Sequence, residues 1–293
     1  MIKVRVPATT ANMGAGFDCL GIALGVYNTF TIEEIEEGLI IEGCRKKYRN
    51  KDNMIYCALQ ECFEKLGYKG KGIRIKVEGE IPESRGLGSS ASCILGGIIG
   101  GNELLGGQLS KHEILELATI IEGHPDNIAP ALFGGMTVAI QEGNSVYHNE
   151  IDIKDDLKFC ALIPNFTLST EESRSVLPKK IDYKDGVFNT GRVALMLSAF
   201  ANGRFDLVKH GCQDRLHQQY RGKLIENYDE IIRVCSKQSI GTFLSGAGPT
   251  IMNVISKEDN KFNEIMKEFV EPMNGVWQVK EFDVDFKGAT VEL

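Results

Sequence analysis

Pro82-Glu83-Ser84-Arg85-Gly86-Leu87-Gly88-Ser89-Ser90-Ala91-Ser92 follows an alternating strand pattern, Gly72–Glu78, and leads into an apolar helical stretch that runs to about Leu105. A glycine-rich turn here lets the backbone approach an anion without a Cβ in the way. The helix behind it offers unpaired N–H groups and the positive end of its dipole, so a phosphate is the natural guest. Ser89 and Ser90 add hydroxyls that can cap the helix, bind phosphate oxygens or reach a metal. Taken alone, the string also serves as a serine-capped helix start whose glycines only turn the chain. Competing motifs fail. No G-x-x-x-x-G-K-[ST] string occurs. Ala91 stands where a dinucleotide fingerprint needs its third glycine. The absence of H-E-x-x-H and G-x-S-x-G argues against a zinc peptidase or an α/β-hydrolase.

Upstream of this turn, Ile2–Val6 alternates and predicts a first strand. Pro7–Asp18, rich in small residues, is expected to be a long loop. Val26–Ile35 reads as a strand that Gly38–Glu42 can join. Arg45–Lys51 is a short basic run, read as a solvated loop, and Asp52 or Asn53 can cap a helix through about Leu66. Downstream, Ser110 caps a helix over Lys111–Ile121, and Gly135–Gln141 reads as a strand. Residues 142–157 are polar and weakly patterned, and a domain boundary is set there, at 150/151, although no linker composition marks it. The second half reads as a strand at Lys158–Ile163, helices near 171–177, 189–202, 205–211 and 224–235, strands at Gly241–Ser245 and Thr250–Ile255, a helix at 258–270 and a terminal strand. Strands and helices interleave with antiparallel patterning, which predicts α+β and not a doubly wound parallel sheet.

The chain has 293 residues, a length that suggests two domains. Hydrophobic residues make up 43% and charged residues 25%, which is ordinary for a globular protein and argues against disorder. Lys+Arg 33 against Asp+Glu 40 gives a net charge of −7, the wrong sign for coating nucleic acid or an anionic membrane. Eight cysteines contain no C-x-x-C and no zinc spacing. Scattered free thiols fit a reducing compartment. Met-Ile-Lys-Val-Arg-Val reads as a strand and not a signal peptide, and no apolar run reaches 18 residues, so a cytoplasmic protein is expected.

Three further strings carry chemistry. Glu122-Gly123-His124-Pro125-Asp126-Asn127 packs two acids, a histidine and an amide into a span that Pro125 keeps out of a regular helix. A carboxylate here can hold Mg²⁺ on nucleotide phosphates, or the string can simply end a helix at Gly123. Ser245-Gly-Ala-Gly-Pro-Thr250 is a second glycine-rich turn, in the far half. Thr170-Glu-Glu-Ser-Arg174 opens a helix, and His217-Gln-Gln-Tyr-Arg221 carries a second arginine; each arginine alone is ordinary surface charge.

In this order and spacing, Asn12-Met-Gly-Ala-Gly-Phe-Asp18, Pro82–Ser92, Glu122–Asn127 and Ser245–Thr250 resemble the signature motifs of the GHMP small-molecule kinase superfamily plus a substrate loop. The finer pattern is similar to the homoserine kinase family: Ala8–Gly21, Gly123–Gly135, Ser169-Thr170 with Arg174 and Leu177-Pro178, and Tyr220-Arg221 all match. Departures are Ala247 for a usual Ser, Ser173 for a usual Ala, and Gln219 where Pro often stands. The resemblance implies two α+β domains. Residues 1–150 would form a ribosomal-protein-like, ATP-binding domain with a left-handed βαβ unit, and 151–293 a ferredoxin-like domain that completes the substrate site. It implies ATP-dependent phosphorylation of the side-chain hydroxyl of L-homoserine, a step in threonine biosynthesis, with ATP and Mg²⁺ as cofactors. Pro82–Ser92 would bind ATP, with Asn53 at the base. Glu122 and Ser90 would hold Mg²⁺. Asn127 would orient the reacting hydroxyl beside Asp126. Arg174, Arg221 and Thr170 would take the substrate carboxylate, Asp18 and Asn12 its ammonium, and His124 would line the pocket. No dedicated base is required, because phosphoryl transfer runs largely on positioning and charge. A homodimer is one assembly open to such a protein. Two other readings stay open: another GHMP kinase acting on mevalonate or a sugar, and a non-catalytic ligand sensor on the same fold.

Overall fold

The computed structural model describes residues 1–273 and 276–292. β1 (Ile2–Ala11) and β2 (Leu20–Ile35) pair antiparallel, with Val4 opposite Phe30. β1 alternates only as far as Val6; from there to Ala11 every residue is buried. This corrects the long loop expected from Pro7: the strand continues through a bulge between Pro7 and Ala8, and small side chains buried on both faces leave no period-2 signal. β3 (Leu39–Glu42), α1 (Met54–Lys65) and β4 (Gly72–Gly79) form a βαβ unit in which β3 and β4 run parallel and β4 joins β2. Asn53 caps α1, its Oδ1 accepting from the amides of Ile55 (2.9 Å) and Tyr56 (3.3 Å).

α2 (Ser89–Leu104) lies between α1 and the sheet and is apolar almost all round. Its glycines allow that approach: a Cβ on Gly97 would run into the carbonyl of Ile55. α3 (Lys111–Glu122) starts in a Ser110/Glu113 capping box and stops at Gly123 (φ +89°), and α4 (Ile128–Phe133) follows. β5 (Met136–Glu142) pairs with the start of β2 and with β6 (Ser145–Ile151). β6 corrects the featureless reading of residues 142–157. It pairs only with β5, and its alternation is weak because most of its side chains face water.

β7 (Leu157–Pro164) opens a second sheet. After it come α5 (Thr170–Ser175), α6 (Tyr183–Ala201), α7 (Val208–Gly211), α8 (Gln218–Arg221) and α9 (Tyr228–Gln238), then β8 (Gly241–Leu244), β9 (Ile251–Ser256), α10 (Phe262–Val270) and β10 (Trp277–Asp283). The sheet order is β10-β7-β9-β8, antiparallel throughout. In chain order that is 4-1-3-2, the ferredoxin-like arrangement. β11 (Thr290–Glu292) returns to pair with β1 in the first sheet. One apolar cluster mixes Leu20, Ile22 and Leu24 of β2 with Phe159, Phe200, Phe243 and Met252 of the second half, so the two sheets share a core. The change of sheet falls between Ile151 and Leu157.

Candidate active site

A cavity of about 360 Å³ opens where the residues after β1, the turn before α2, α5 and the turn after β8 converge. The glycine-rich turn lines it. Its carbonyls are tied back: Leu87 O accepts from the amide of Thr9 (3.3 Å), and Gly86 O accepts from Ser245 Oγ (2.5 Å). The amides of Gly86 to Ala91 have no acceptor among the described residues, and Gly88 brings no side-chain cap to α2. A row of unpaired N–H groups at a helix start is an anion cradle. The glycines serve a second purpose beside the one expected. Gly86 and Gly88 take φ +74° and +68°, and a Cβ on Gly88 would fall on Thr9 Oγ1 behind the turn. They permit tight packing at the back, not only close approach at the front.

Of the eleven residues expected to hold ATP in this turn, Glu83 to Ser90 line the cavity. Ala91 and Ser92 are buried inside α2, and Pro82 lines a separate surface depression. Arg85 is spent on structure: Nε donates to Pro164 O (2.8 Å), Nη2 to Asn165 O (2.6 Å) and Nη1 to Glu83 O (3.1 Å), clamping the turn to the end of β7. Asn53 lines the cavity, but its Oδ1 caps α1 and its Nδ2 donates to Tyr48 O (2.8 Å).

The floor is polar. Ser90 Oγ donates to Glu122 Oε2 (2.5 Å). Burial raises the pKa of Glu122 above the usual carboxyl value, against the opposing pull of that hydrogen bond. His124 Nδ1 donates to Asp126 Oδ1 (2.6 Å). Burial works against a charge on His124, but the Asp126 carboxylate, helped by Glu122 and Asp18, outweighs it and raises the pKa. Asn127 Nδ2 donates to Asp126 Oδ1 (3.2 Å), and Asn127 Oδ1 accepts from Thr9 Oγ1 (2.7 Å). Among the described residues no group of three His, Cys, Asp or Glu could hold a metal. Glu122 with Ser90 nevertheless fits Mg²⁺, which keeps one or two protein oxygens and takes the rest from phosphates and water. Ser90 Oγ and Glu122 Oε2 lie side by side in the lining of the cavity, which agrees with that fit.

The substrate candidates line the same cavity. Arg174 grips Asp18 at two points, Nη1 to Oδ2 (3.1 Å) and Nη2 to Oδ1 (2.9 Å). The two groups expected to bind opposite ends of a zwitterion are therefore partners of each other. Asn12 donates to Gly246 O (2.8 Å) and accepts from the amide of Asp18 (2.9 Å), which makes it a support for Asp18. Thr170, the first residue of α5, lines the cavity, as does Arg221. Burial, then the charge of Arg174, pulls the pKa of Arg221 down to about 10, so it stays cationic at neutral pH. Two departures from the family pattern touch: Ser173 Oγ donates to Ala247 O (2.9 Å). Sequence reasoning missed Thr9, Phe17 and a role for His217. Phe17 sits between the arginines, 5.8 Å from Arg174 Cζ and 5.1 Å from Arg221 Cζ. His217 stands four residues before Arg221, a helical spacing that could have signalled contact.

This fold, with an amide cradle between its two sheets, defines a GHMP-type kinase. Residues 53–135 match the GHMP kinases N terminal domain, and residues 196–270 match the GHMP kinases C terminal domain. The chain is 56% identical over 292 residues to homoserine kinase of Clostridium botulinum, covering 99% of this chain and 98% of that one. It therefore belongs to the GHMP kinases and, within them, to the homoserine kinase family. The crystal structure of homoserine kinase from Cytophaga hutchinsonii superposes with TM-score 0.87 at 26% identity, over 99% of this chain and 97% of that one. Mevalonate kinase of L. major in complex with R-mevalonate shares the fold alone, with TM-score 0.74 at 16% identity over 96% and 95% of the chains.

Proposed function

We propose that this kinase transfers the γ-phosphoryl group of ATP to the side-chain hydroxyl of L-homoserine, giving O-phospho-L-homoserine for threonine biosynthesis. The carrying observation is that one cavity is lined both by an amide cradle and by a carboxylate, Asp18, with two arginines, Arg174 and Arg221. That set suits an amino acid with its ammonium on Asp18 and its carboxylate on Arg174 and Arg221. In place of the Asp18–Arg174 pair, each side chain would gain a substrate partner of opposite charge. The amides of Gly86–Ala91 would cradle the phosphate tail. Asn127 and Asp126 would orient the hydroxyl toward it. Glu122 and Ser90 would hold Mg²⁺, which supplies charge neutralisation on the phosphates when bound. The loose transition state asks the protein for alignment and charge, and no side chain need act as a dedicated base. The reading takes 1–150 as the nucleotide unit and 151–293 as the unit completing the substrate site. Eight free thiols support work in the reducing cytoplasm. ATP consumption with L-homoserine, mevalonate and galactose tests the reading. Turnover on L-homoserine alone is expected. Turnover on another member of the panel, or on none, would overturn it.

A further inference from the structure

Arg221 sits in a cage with one open side. It is 1% exposed. Nε donates to Ser173 O (3.3 Å), and Nη1 donates to Gly246 O (3.1 Å) and faces His217 Nδ1 (3.4 Å). Phe17 packs against the guanidinium. Nη2 has no partner among the described residues, on a side chain that lines the cavity.

His217 is fully buried, and its ring stacks on Phe17 with centroids 5.0 Å apart. Its Nε2 lies 2.9 Å from Gly14 O. A guanidinium has only donors, so the nitrogen facing it carries no proton. The ring proton is then on Nε2, where it donates to Gly14 O. Both nitrogens are thus used around the substrate candidates: one holds the Asn12–Asp18 loop, the other holds Arg221. A histidine that only filled the core would not need both contacts.

We propose, on the reading that Arg221 takes the substrate carboxylate, that His217 in its neutral Nε2–H form is a positioning residue. It ties Gly14 O to Nη1 of Arg221 and leaves the Nη2 edge to face the cavity. It thereby sets the spacing between the carboxylate site and Asp18, and with it the preference for an α-carboxylate, without touching substrate.

The test is steady-state kinetics of His217→Phe, His217→Gln and Arg221→Ala, singly and combined, on L-homoserine and on its decarboxylated analogue, 3-amino-1-propanol. Phe keeps the ring and loses both contacts, the acceptor facing Arg221 and the Nε2–H donated to Gly14 O; Gln keeps an acceptor and a donor. His217→Phe is expected to raise KM for L-homoserine about 10-fold, the scale of one hydrogen bond to a charged group. Its kcat and its KM for ATP should stay within about 2-fold of wild type, and its loss of kcat/KM on the analogue should be smaller than on L-homoserine, because the analogue meets only the loosened Asp18 loop. Gln should recover most of the loss, and in the Arg221→Ala background His217→Phe should cost less than it does alone. Equal losses on both substrates, or full additivity with Arg221→Ala, would overturn the proposal. Imidazole ¹⁵N NMR of the wild-type protein checks it without any variant: an unprotonated Nδ1 on His217 is expected, and a proton there would contradict it. A wild type with no preference for L-homoserine over the analogue would remove the reading of Arg221 itself, and the proposal with it.

Discussion

Two parts of the cavity, the glycine-rich turn and the arginine cluster, satisfy their polar groups in opposite ways. Along Gly86–Ala91 the carbonyls are tied back and the amides are left without acceptors. In the arginine cluster Asp18 and Arg174 hold each other, Asn12 is used twice, and Arg221 is caged on all sides but one. A cradle of unpaired donors gains partners only from a ligand, so the part proposed for the nucleotide is built in advance. A self-paired cluster gains nothing from a ligand unless it exchanges partners. The exchange costs little: the side chains of Arg174 and Asp18 are 37% and 33% exposed, and such a pair contributes about 0–1 kcal/mol.

The largest expected effect is at the part proposed for the nucleotide. Glu122→Gln should lower kcat about 100-fold and raise the Mg²⁺ requirement, because it removes the one charge proposed for the metal. The same change should raise Tm in metal-free buffer. Burial lifts the folded pKa of Glu122 above its unfolded value of about 4.3, so the ionised carboxylate destabilises the fold at neutral pH. Superimposed Mg²⁺ titrations of wild type and variant would make Glu122 structural and erase the contrast between the two parts.

In the exchanging cluster, Asp18→Asn should raise KM for L-homoserine about 10-fold by removing the ammonium partner. Asn tolerates the φ of +56° that Asp18 adopts, so the loop should hold its shape. Tm should move by less than about 3 °C, as for any half-exposed ion pair in a chain of this size. A large Tm loss would mean that the Asp18–Arg174 pair is a structural brace and does not open.

The smallest effect is a pH difference. Burial lowers the folded pKa of His217, against Asp214 and with Arg221, while Asp18 faces it from the loop. A histidine held neutral stabilises the fold above its unfolded pKa of about 6.5, and that stability is lost as pH falls below it. Wild type should therefore lose stability relative to His217→Gln by up to about 1.4 kcal/mol per pH unit below that point. Parallel Tm curves from pH 7.5 to 5.5 would show that His217 is not held neutral.

The amide cradle proposed for the nucleotide was legible in the sequence because its parts are contiguous: strand, glycines, serines and apolar helix follow one another. The α+β class was legible from interleaved patterns. The purpose of Gly88 was not, since the atom that excludes a Cβ there belongs to Thr9 in another strand. The full length of β1 was hidden because both of its faces are buried beyond Val6, and β6 because most of its side chains face water. The arginine cluster was legible only through the family pattern. Asp18 and Arg174 lie 156 residues apart, and nothing local says that they pair. The clamp made by Arg85 was likewise invisible, because its acceptors are backbone carbonyls of the second sheet.

The account turns on an amino-acid carboxylate being read by Arg221. The direct measurement is the ratio of kcat/KM on L-homoserine to that on 3-amino-1-propanol, in wild type and in Arg221→Ala. Wild type should favour L-homoserine by about 100-fold, mostly through KM, because the carboxylate keeps its charge as the hydroxyl reacts. In Arg221→Ala, with Arg174 left on the carboxylate, the ratio should fall about 10-fold. A variant that loses the same factor on both substrates, leaving the ratio unchanged, would contradict the assignment.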